Sequence, residues 1–264
     1  MSIDDIRQKK LSSFKLYEGE FLLFDDINHI GELWDQFTCR DLYFSAAYLN
    51  LIQNSISLGI QPYYLIELRN VEIANVYYYQ LKTFNLNESL RSSEEVQNNI
   101  FKKNASKLIS FDTLVNGNLL LTGKYGVYSK DLEYTIDVAN LEKINDLVCK
   151  QITTLKKSKP GGFLIKDFYK TEISNNNQIK SFSEFVVHPN MILEMPISWN
   201  SMNDYTEALN TKYRTRYKRA IKKLYPITER ALSIEDLIIY KEIMYKLYSN
   251  IALNADFNLF QTSI

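Results

Sequence analysis

The clearest pattern along the chain lies between residues 62 and 81, where two apolar runs flank a short polar break. Pro62 to Leu68 predicts one strand, and Glu72 to Leu81, centred on Val76-Tyr-Tyr-Tyr79, predicts a second. Arg69-Asn70 begins the turn between them. Asparagine tolerates the positive φ that a tight connection requires, so the two runs predict an antiparallel hairpin. Upstream, short helical and extended signals alternate. Phe21-Leu-Leu-Phe24 predicts a strand closed by Asp25-Asp26. Leu42, Ala46, Leu49, Ile52 and Ile56 recur at helical spacing and predict a buried helix over 42–56, stopping near Gly59.

Downstream, Ser93 to Ile109 reads as a polar helix with Val96, Ile100 and Leu108 on its inner face. Thr113 to Thr122 predicts a buried strand, and a loop with Gly123 and Gly126 leads to a helix over Val138 to Lys156. After a Lys-Pro-Gly break, Phe163 to Phe168 predicts another strand. The Asn-rich stretch Ser174 to Gln178 is a solvated loop, and Phe182 to Val187 and Met191 to Met195 read as extended segments. Helices mixed with a hairpin and isolated strands predict an α/β fold: a mixed sheet with flanking helices.

Two helices close the pattern. Asp204-x-x-Glu207 has the form of a capping box and opens a helix from Asp204 to Leu224, ended before Pro226. Ser233-x-x-Asp236 opens a second, running to about Ala255. On the first, Leu209, Tyr213, Tyr217, Ala220 and Leu224 form one apolar stripe, which predicts its buried side. The other faces carry Lys212, Arg214, Arg216, Lys218, Arg219, Lys222 and Lys223 with almost no acid. Such a helix has two readings. Either water screens the mutual repulsion, or an anion removes it: cofactor phosphates, an acidic lipid head group, or RNA. Arg214, Arg216, Lys218 and Arg219 are the candidate anion-binding residues.

Composition narrows the classes. With 45% hydrophobic and 23% charged residues, the chain is ordinary for a globular protein. Lys+Arg and Asp+Glu are both 31, which argues against a dedicated nucleic-acid binder, DNA included, and favours a cofactor or lipid over RNA. There is no secretory signal pattern and no apolar run near the roughly 18 residues of a membrane span, so a cytoplasmic location is expected. Cys39 and Cys149 lack metal or redox spacing and read as buried reduced thiols. Most of the 19 Tyr and 14 Phe are expected in the core and on sheet faces.

Candidate chemistry is sparse. His29 and His188 have no Ser or Cys in a nucleophile-like context, which disfavours a hydrolase triad. No His/Cys/Asp cluster has metal spacing. Asp25-Asp26 reads as a solvated pair rather than cooperating carboxylates, since neighbours in a strand face opposite ways. Glu67 and Glu194 read as edge or outward residues, with burial the other reading, and no catalytic residue is assigned.

The segment Asn203 to Lys223, NDYTEALNTKYRTRYKRAIKK, with Tyr205, Leu209, Tyr213-Arg214 and Lys218-Arg219-Ala220 in register, resembles the opening of the second half of FemABX-like and BioF2-like proteins. These are tandem GNAT-fold N-acyltransferases. The upstream order of helices, hairpin, strand, glycine loop, helix and strand is similar to their first half. The resemblance implies a GNAT-like domain over residues 1–200 and the helical start of a second, incomplete one over 201–264. It implies transfer of an acyl or aminoacyl group to an amine acceptor. Acyl-CoA would be the donor and transient co-substrate, with aminoacyl-tRNA a less favoured donor. In that fold, glycines after a strand open a helix and present N–H groups to the donor's pyrophosphate. The matching positions here are Gly123, Lys124 and Gly126, though a plain strand-end turn is the competing reading. A non-catalytic module that meets an anionic partner or acidic membrane through 204–224 is the alternative function.

Overall fold

The structure, a computed structural model, describes residues 1–38, 41–55, 58–85, 110–129, 138–157, 159–167, 182–183 and 193–254. Two compact units emerge: Met1–Lys180 together with Tyr245–Ile264, and Ser181–Met244.

The first unit is built on a mixed sheet. Helix α1 (Ile3–Lys9) starts on a capping box between Ser2 and Asp5 and leads into strands β1 (Ser12–Leu16) and β2 (Gly19–Phe24). Helices α2 (Gly31–Thr38) and α3 (Ala46–Asn54) then cross to the long hairpin of β3 (Ile60–Arg69) and β4 (Glu72–Asn85). Strand β5 (Ser110–Asn116), the short β6 (Val127–Ser129), helix α4 (Val138–Lys156) and β7 (Gly162–Ile165) complete it. The sheet runs β1-β2-β3-β4-β5-β7, with β6 also on β4. Among the described residues every pairing is antiparallel except β5 with β7, which is parallel.

Strand periodicity explains why β3 and β4 are apolar nearly throughout. Leu65, Tyr77, Tyr79 and Leu114 face Leu141, Ile144 and Val148 of α4. Their neighbours Tyr64, Ile66, Val76 and Tyr78 turn to the opposite face and join Ile6, Trp34, Phe44 and Leu49. An antiparallel sheet usually wets one face. Here helices cover both, so alternate positions on either side are apolar. Burial pushes the Tyr63 hydroxyl up to about 12 and raises those of Tyr64 and Tyr78 further.

The hairpin forms where the pattern placed it, and its turn carries a strain the sequence does not advertise. Arg69 pairs with Glu72 across a two-residue loop in which Asn70 has φ 50° and Val71 φ 66°. Both values suit a type I′ turn, but a β-branched residue resists the left-handed region. Val71 is 61% exposed and buries little. Val71→Gly is therefore expected to stabilise the first unit by about 1 kcal/mol, read as a higher urea midpoint with an unchanged slope.

Two boundaries differ from expectation for identifiable reasons. The predicted 42–56 helix is split: Asp41 caps a 3-10 turn over Leu42–Phe44, and Ser45 then caps α3, accepting from the Tyr48 amide at 3.3 Å. Leu42 is consequently 70% exposed, while Leu49 and Ile52 are buried as the spacing required. The strand expected to reach Thr122 ends at Asn116, because Gly117 takes φ 134° and turns the chain out of the ladder.

In the second unit, helix α5 (Met202–Ala208) and helix α6 (Thr211–Leu224) replace the single helix expected from Asp204. Leu209 is extended and Asn210 caps α6, accepting from the Tyr213 amide at 3.2 Å. The capping box is one residue set earlier than the pattern suggested: Ser201 is the cap and Asp204 its partner. The last helix, α7 (Ile234–Leu253), opens on Ser233 and Asp236 as expected; its residues from Tyr245 group with the first unit. No helix among the described residues is long and apolar enough to cross a membrane. The helix expected over 93–109, the loop 174–178, His188 and Cys39 lie outside the described residues, and Met191–Met195 is described only from Leu193, where no ladder includes it.

Candidate functional site

Strands β5 and β6 follow one another along the same edge of β4, and the chain between them makes a ten-residue excursion. Asn116 pairs with Tyr79 and Val127 with Tyr77, so both ends of the excursion meet at Tyr78. The Gly117 amide donates to the Tyr78 carbonyl at 3.1 Å, and the Tyr78 amide donates to the Gly126 carbonyl at 3.0 Å. Asn116 closes the neck, its Nδ2 donating to the carbonyls of Tyr78 (3.2 Å) and Gly126 (2.9 Å). A Cβ at position 126 would meet Asn116 Oδ1 at 2.8 Å, so glycine is required there by close packing.

The loop body is held by buried polar groups. Gln80 donates to the Tyr78 hydroxyl at 2.9 Å and accepts from the Leu119 amide at 2.7 Å. Asn118 accepts from the Leu120 amide at 2.9 Å. Tyr125 packs its ring on Phe44, 6.3 Å away, and against Tyr43, also at 6.3 Å. Asn116 Oδ1 is buried without a hydrogen-bond partner among the described residues.

This loop stands at the carboxyl ends of β5 and β7. Strand β7 lies alongside β5 with Asn116 opposite Ile165, and the next amide, Lys166, donates to the Asn116 carbonyl at 3.1 Å. Lys166 Nζ donates to the Leu121 carbonyl at 2.7 Å and forms an ion pair with Asp167. The Gly123 amide donates to the Asp167 carboxylate at 3.0 Å. Gly123, Lys124 and Gly126 thus lie on the loop at the carboxyl ends of the one parallel pair among the described residues. Ligands of open α/β sheets tend to sit beyond the carboxyl ends of the strands. The excursion leads into β6 rather than opening a helix, and a phosphate approaching Gly123 would have to displace Asp167.

Sequence reasoning named Glu67 but favoured the surface for what is a buried carboxylate. Glu67 is 2% exposed, in the interior strand β3, on the face covered by α4. Its oxygens accept from Asn75 Nδ2 (2.7 Å), the Tyr77 hydroxyl (2.7 Å) and Arg69 Nε (2.6 Å). A bulge between Glu67 and Leu68 sets the register that brings Asn75 opposite Glu67 and Tyr77 diagonal to it. The edge or outward reading of Glu67 is therefore corrected. The sequence carried no signal for this: the two-residue turn by itself would set Glu67 opposite Ala74 and turn Asn75 and Tyr77 to the other face, and only the bulge brings them to Glu67. Glu194 lies in an exposed stretch outside any ladder.

The basic helix belongs to the other unit. No residue of α6 is buried, and the stripe expected to mark its inner side is largely open: Leu209 and Tyr217 are half-buried, while Tyr213 is 50% and Leu224 51% exposed. Of the four cations singled out, Arg214 differs from the rest. It is half-buried, and its Nη2 donates to the carbonyls of Glu207 (2.7 Å) and Leu209 (2.8 Å), tying the end of α5 to α6. Arg216 stands 5.7 Å over the Tyr213 ring, and Lys218 and Arg219 are exposed.

Elsewhere little offers chemistry. No group of His, Cys, Asp and Glu among the described residues has metal-site geometry. Asp26 caps a 3-10 turn; its partial burial raises its pKa, but donors from Gln53 and Asn28 outweigh this and hold it low. Cys149 is a free thiol pushed up to about 11 by burial, hence unreactive near neutrality. An open depression of about 520 Å³, lined by Met1, Asp5, Gln8, Lys9, Asn28 and Glu32, has no convergent set of reactive groups. Comparison with protein-family models, curated proteins and solved structures gives no match to this chain.

Proposed function

We propose that the chain is an N-acyltransferase of GNAT type, passing an acyl or aminoacyl group from a CoA thioester or aminoacyl-tRNA to an amine. The observation that carries this reading is the one parallel pair among the described residues, β5 with β7, joined through α4 at the end of an antiparallel run. That order supports the expected GNAT-like fold, and the loop from Gly117 to Gly126 lies at the carboxyl ends of both strands. Lys124 is the cation assigned to the donor's phosphates.

The chemistry demands little of side chains. The amine nitrogen attacks the thioester carbonyl, the carbon–sulfur bond breaks, and the proton lost by the amine ends on the departing thiolate. Holding donor and amine together supplies most of the acceleration. Glu67 is not the proton acceptor, since Asn75, Tyr77 and Arg69 occupy its oxygens.

Thermal-shift titration with acetyl-CoA and longer acyl-CoAs tests the reading. A ligand at a hundredfold excess over its dissociation constant contributes about 2.7 kcal/mol, which raises Tm by several degrees in a domain of this size. Lys124→Ala should shrink that rise. No shift with any acyl-CoA and none with aminoacyl-tRNA would sink the proposal and leave a non-catalytic module, whose anionic partner would meet the basic helix.

A further inference from the structure

Helix α6 combines two surfaces that water accommodates poorly. Its fourteen residues, TKYRTRYKRAIKKL, hold seven cations and no acid. Arg214 is engaged within the unit, but Lys212, Arg216, Lys218, Arg219, Lys222 and Lys223 are all exposed. At 100° per residue, Tyr213, Tyr217, Ile221 and Leu224 gather on one side, with Arg216 and Lys223 on one flank and Lys218 on the other. Apart from the half-buried Tyr217, the apolar side is uncovered: Ile221 is 47% exposed, and beyond the helix Tyr225 is 94% and Ile227 63% exposed.

We propose that α6 and the following turn at Tyr225–Ile227 form a peripheral docking surface for a bilayer containing acidic phospholipid. The helix would lie in the interfacial plane, with Ile221, Leu224 and Ile227 entering the acyl boundary. Arg216, Lys218, Arg219 and Lys223 would reach back to the head groups along their own methylene stems. Acidic lipid supplies the countercharge for six exposed cations, and the acyl boundary takes the aliphatic side chains out of water. One partner removes both costs. An RNA would neutralise the cations but leave the aliphatic residues wet. A second copy docking α6 on α6 would set cations against cations. The inference does not depend on acyl transfer and concerns a different unit of the chain.

Co-sedimentation of the full chain with vesicles tests it. Vesicles of phosphatidylcholine mixed with phosphatidylserine should capture the protein, phosphatidylcholine alone should not, and added salt should weaken capture. Each neutralised cation should weaken binding about fivefold, so the combined Arg216→Gln, Lys218→Gln, Arg219→Gln variant should lose about a hundredfold. Ile221→Ser with Leu224→Ser should abolish capture at physiological salt. All five side chains are exposed, so far-UV circular dichroism should not change. The salt series on the unaltered protein needs no variant. Capture that ignores the phosphatidylserine fraction, or no capture at all, would overturn the proposal. So would full capture by the serine variant together with displacement by single-stranded RNA, which would make the surface a polyanion site.

Discussion

Replacing Glu67 by alanine is expected to lower the unfolding free energy of the first unit by about 4 kcal/mol, a large fraction of a domain's stability. The carboxylate is 2% exposed and accepts three hydrogen bonds, two from the side chains of Asn75 and Tyr77 on β4. Alanine removes the acceptor and leaves a void under α4. Asn75 suffers most, because its Oδ1 already lacks a partner. The Arg69 contribution is small: its side chain is 59% exposed, and water screens that half of the interaction. Glu67→Gln keeps the volume and one acceptor oxygen, so it should cost about half as much. Urea denaturation followed by circular dichroism measures both. A loss below about 1 kcal/mol for the alanine variant would mean that the carboxylate is dispensable to the fold.

Trp34→Ala should cost a similar amount, about 4 kcal/mol, by a different mechanism. Trp34 is fully buried between the sheet and the segment that follows α2. Its ring lies 5.3 Å from Phe44 and edge-on to Tyr64 at 5.7 Å, and its indole N–H donates to the Phe44 carbonyl at 2.7 Å. Truncation opens a cavity and leaves that carbonyl without its donor. Phe44 also stacks on Tyr125 and Tyr128, so the loss should loosen the excursion between β5 and β6. Hydrogen exchange should therefore rise at the Leu119 and Leu120 amides as well as around Trp34. Trp34→Phe, which keeps most of the volume, separates packing from the hydrogen bond and should lose less. If exchange in the loop stays unchanged, the aromatic column does not couple the helical layer to the candidate site.

Much of the fold could be read directly. The hairpin, the α4 boundaries and the opening of α7 followed from local pattern, because each rests on signals a few residues apart: period-two apolar runs, helical spacing, and a Ser-x-x-Asp cap. The misread boundaries came from competition between local signals. Ser45 and Asn210 each offer a side-chain oxygen to the backbone and start new elements inside apparently continuous helical patterns. The end of β5 turned on one glycine conformation at Gly117.

The candidate site was legible only in fragments. Gly123, Lys124 and Gly126 drew attention as a glycine loop, but Asn116, Tyr78, Gln80 and Asp167 carry no motif. They meet because two strands share an edge of β4 and a third runs parallel beside them. Glu67 is the same lesson in a single residue: charge suggested the surface, and strand pairing put it inside.

The basic helix marks the division most clearly. The sequence by itself determined its amphipathic character, since the charges and the stripe depend only on spacing along one helix. Whether that stripe is covered, and which cation is already engaged, depended on what packs nearby. Only the tertiary structure decided that Arg214 serves the end of α5 while Tyr213, Ile221 and Leu224 stay open to solvent. The physical reason is range: periodicity is a property of neighbours within a turn or two, whereas burial is a property of chain segments that the pattern cannot see.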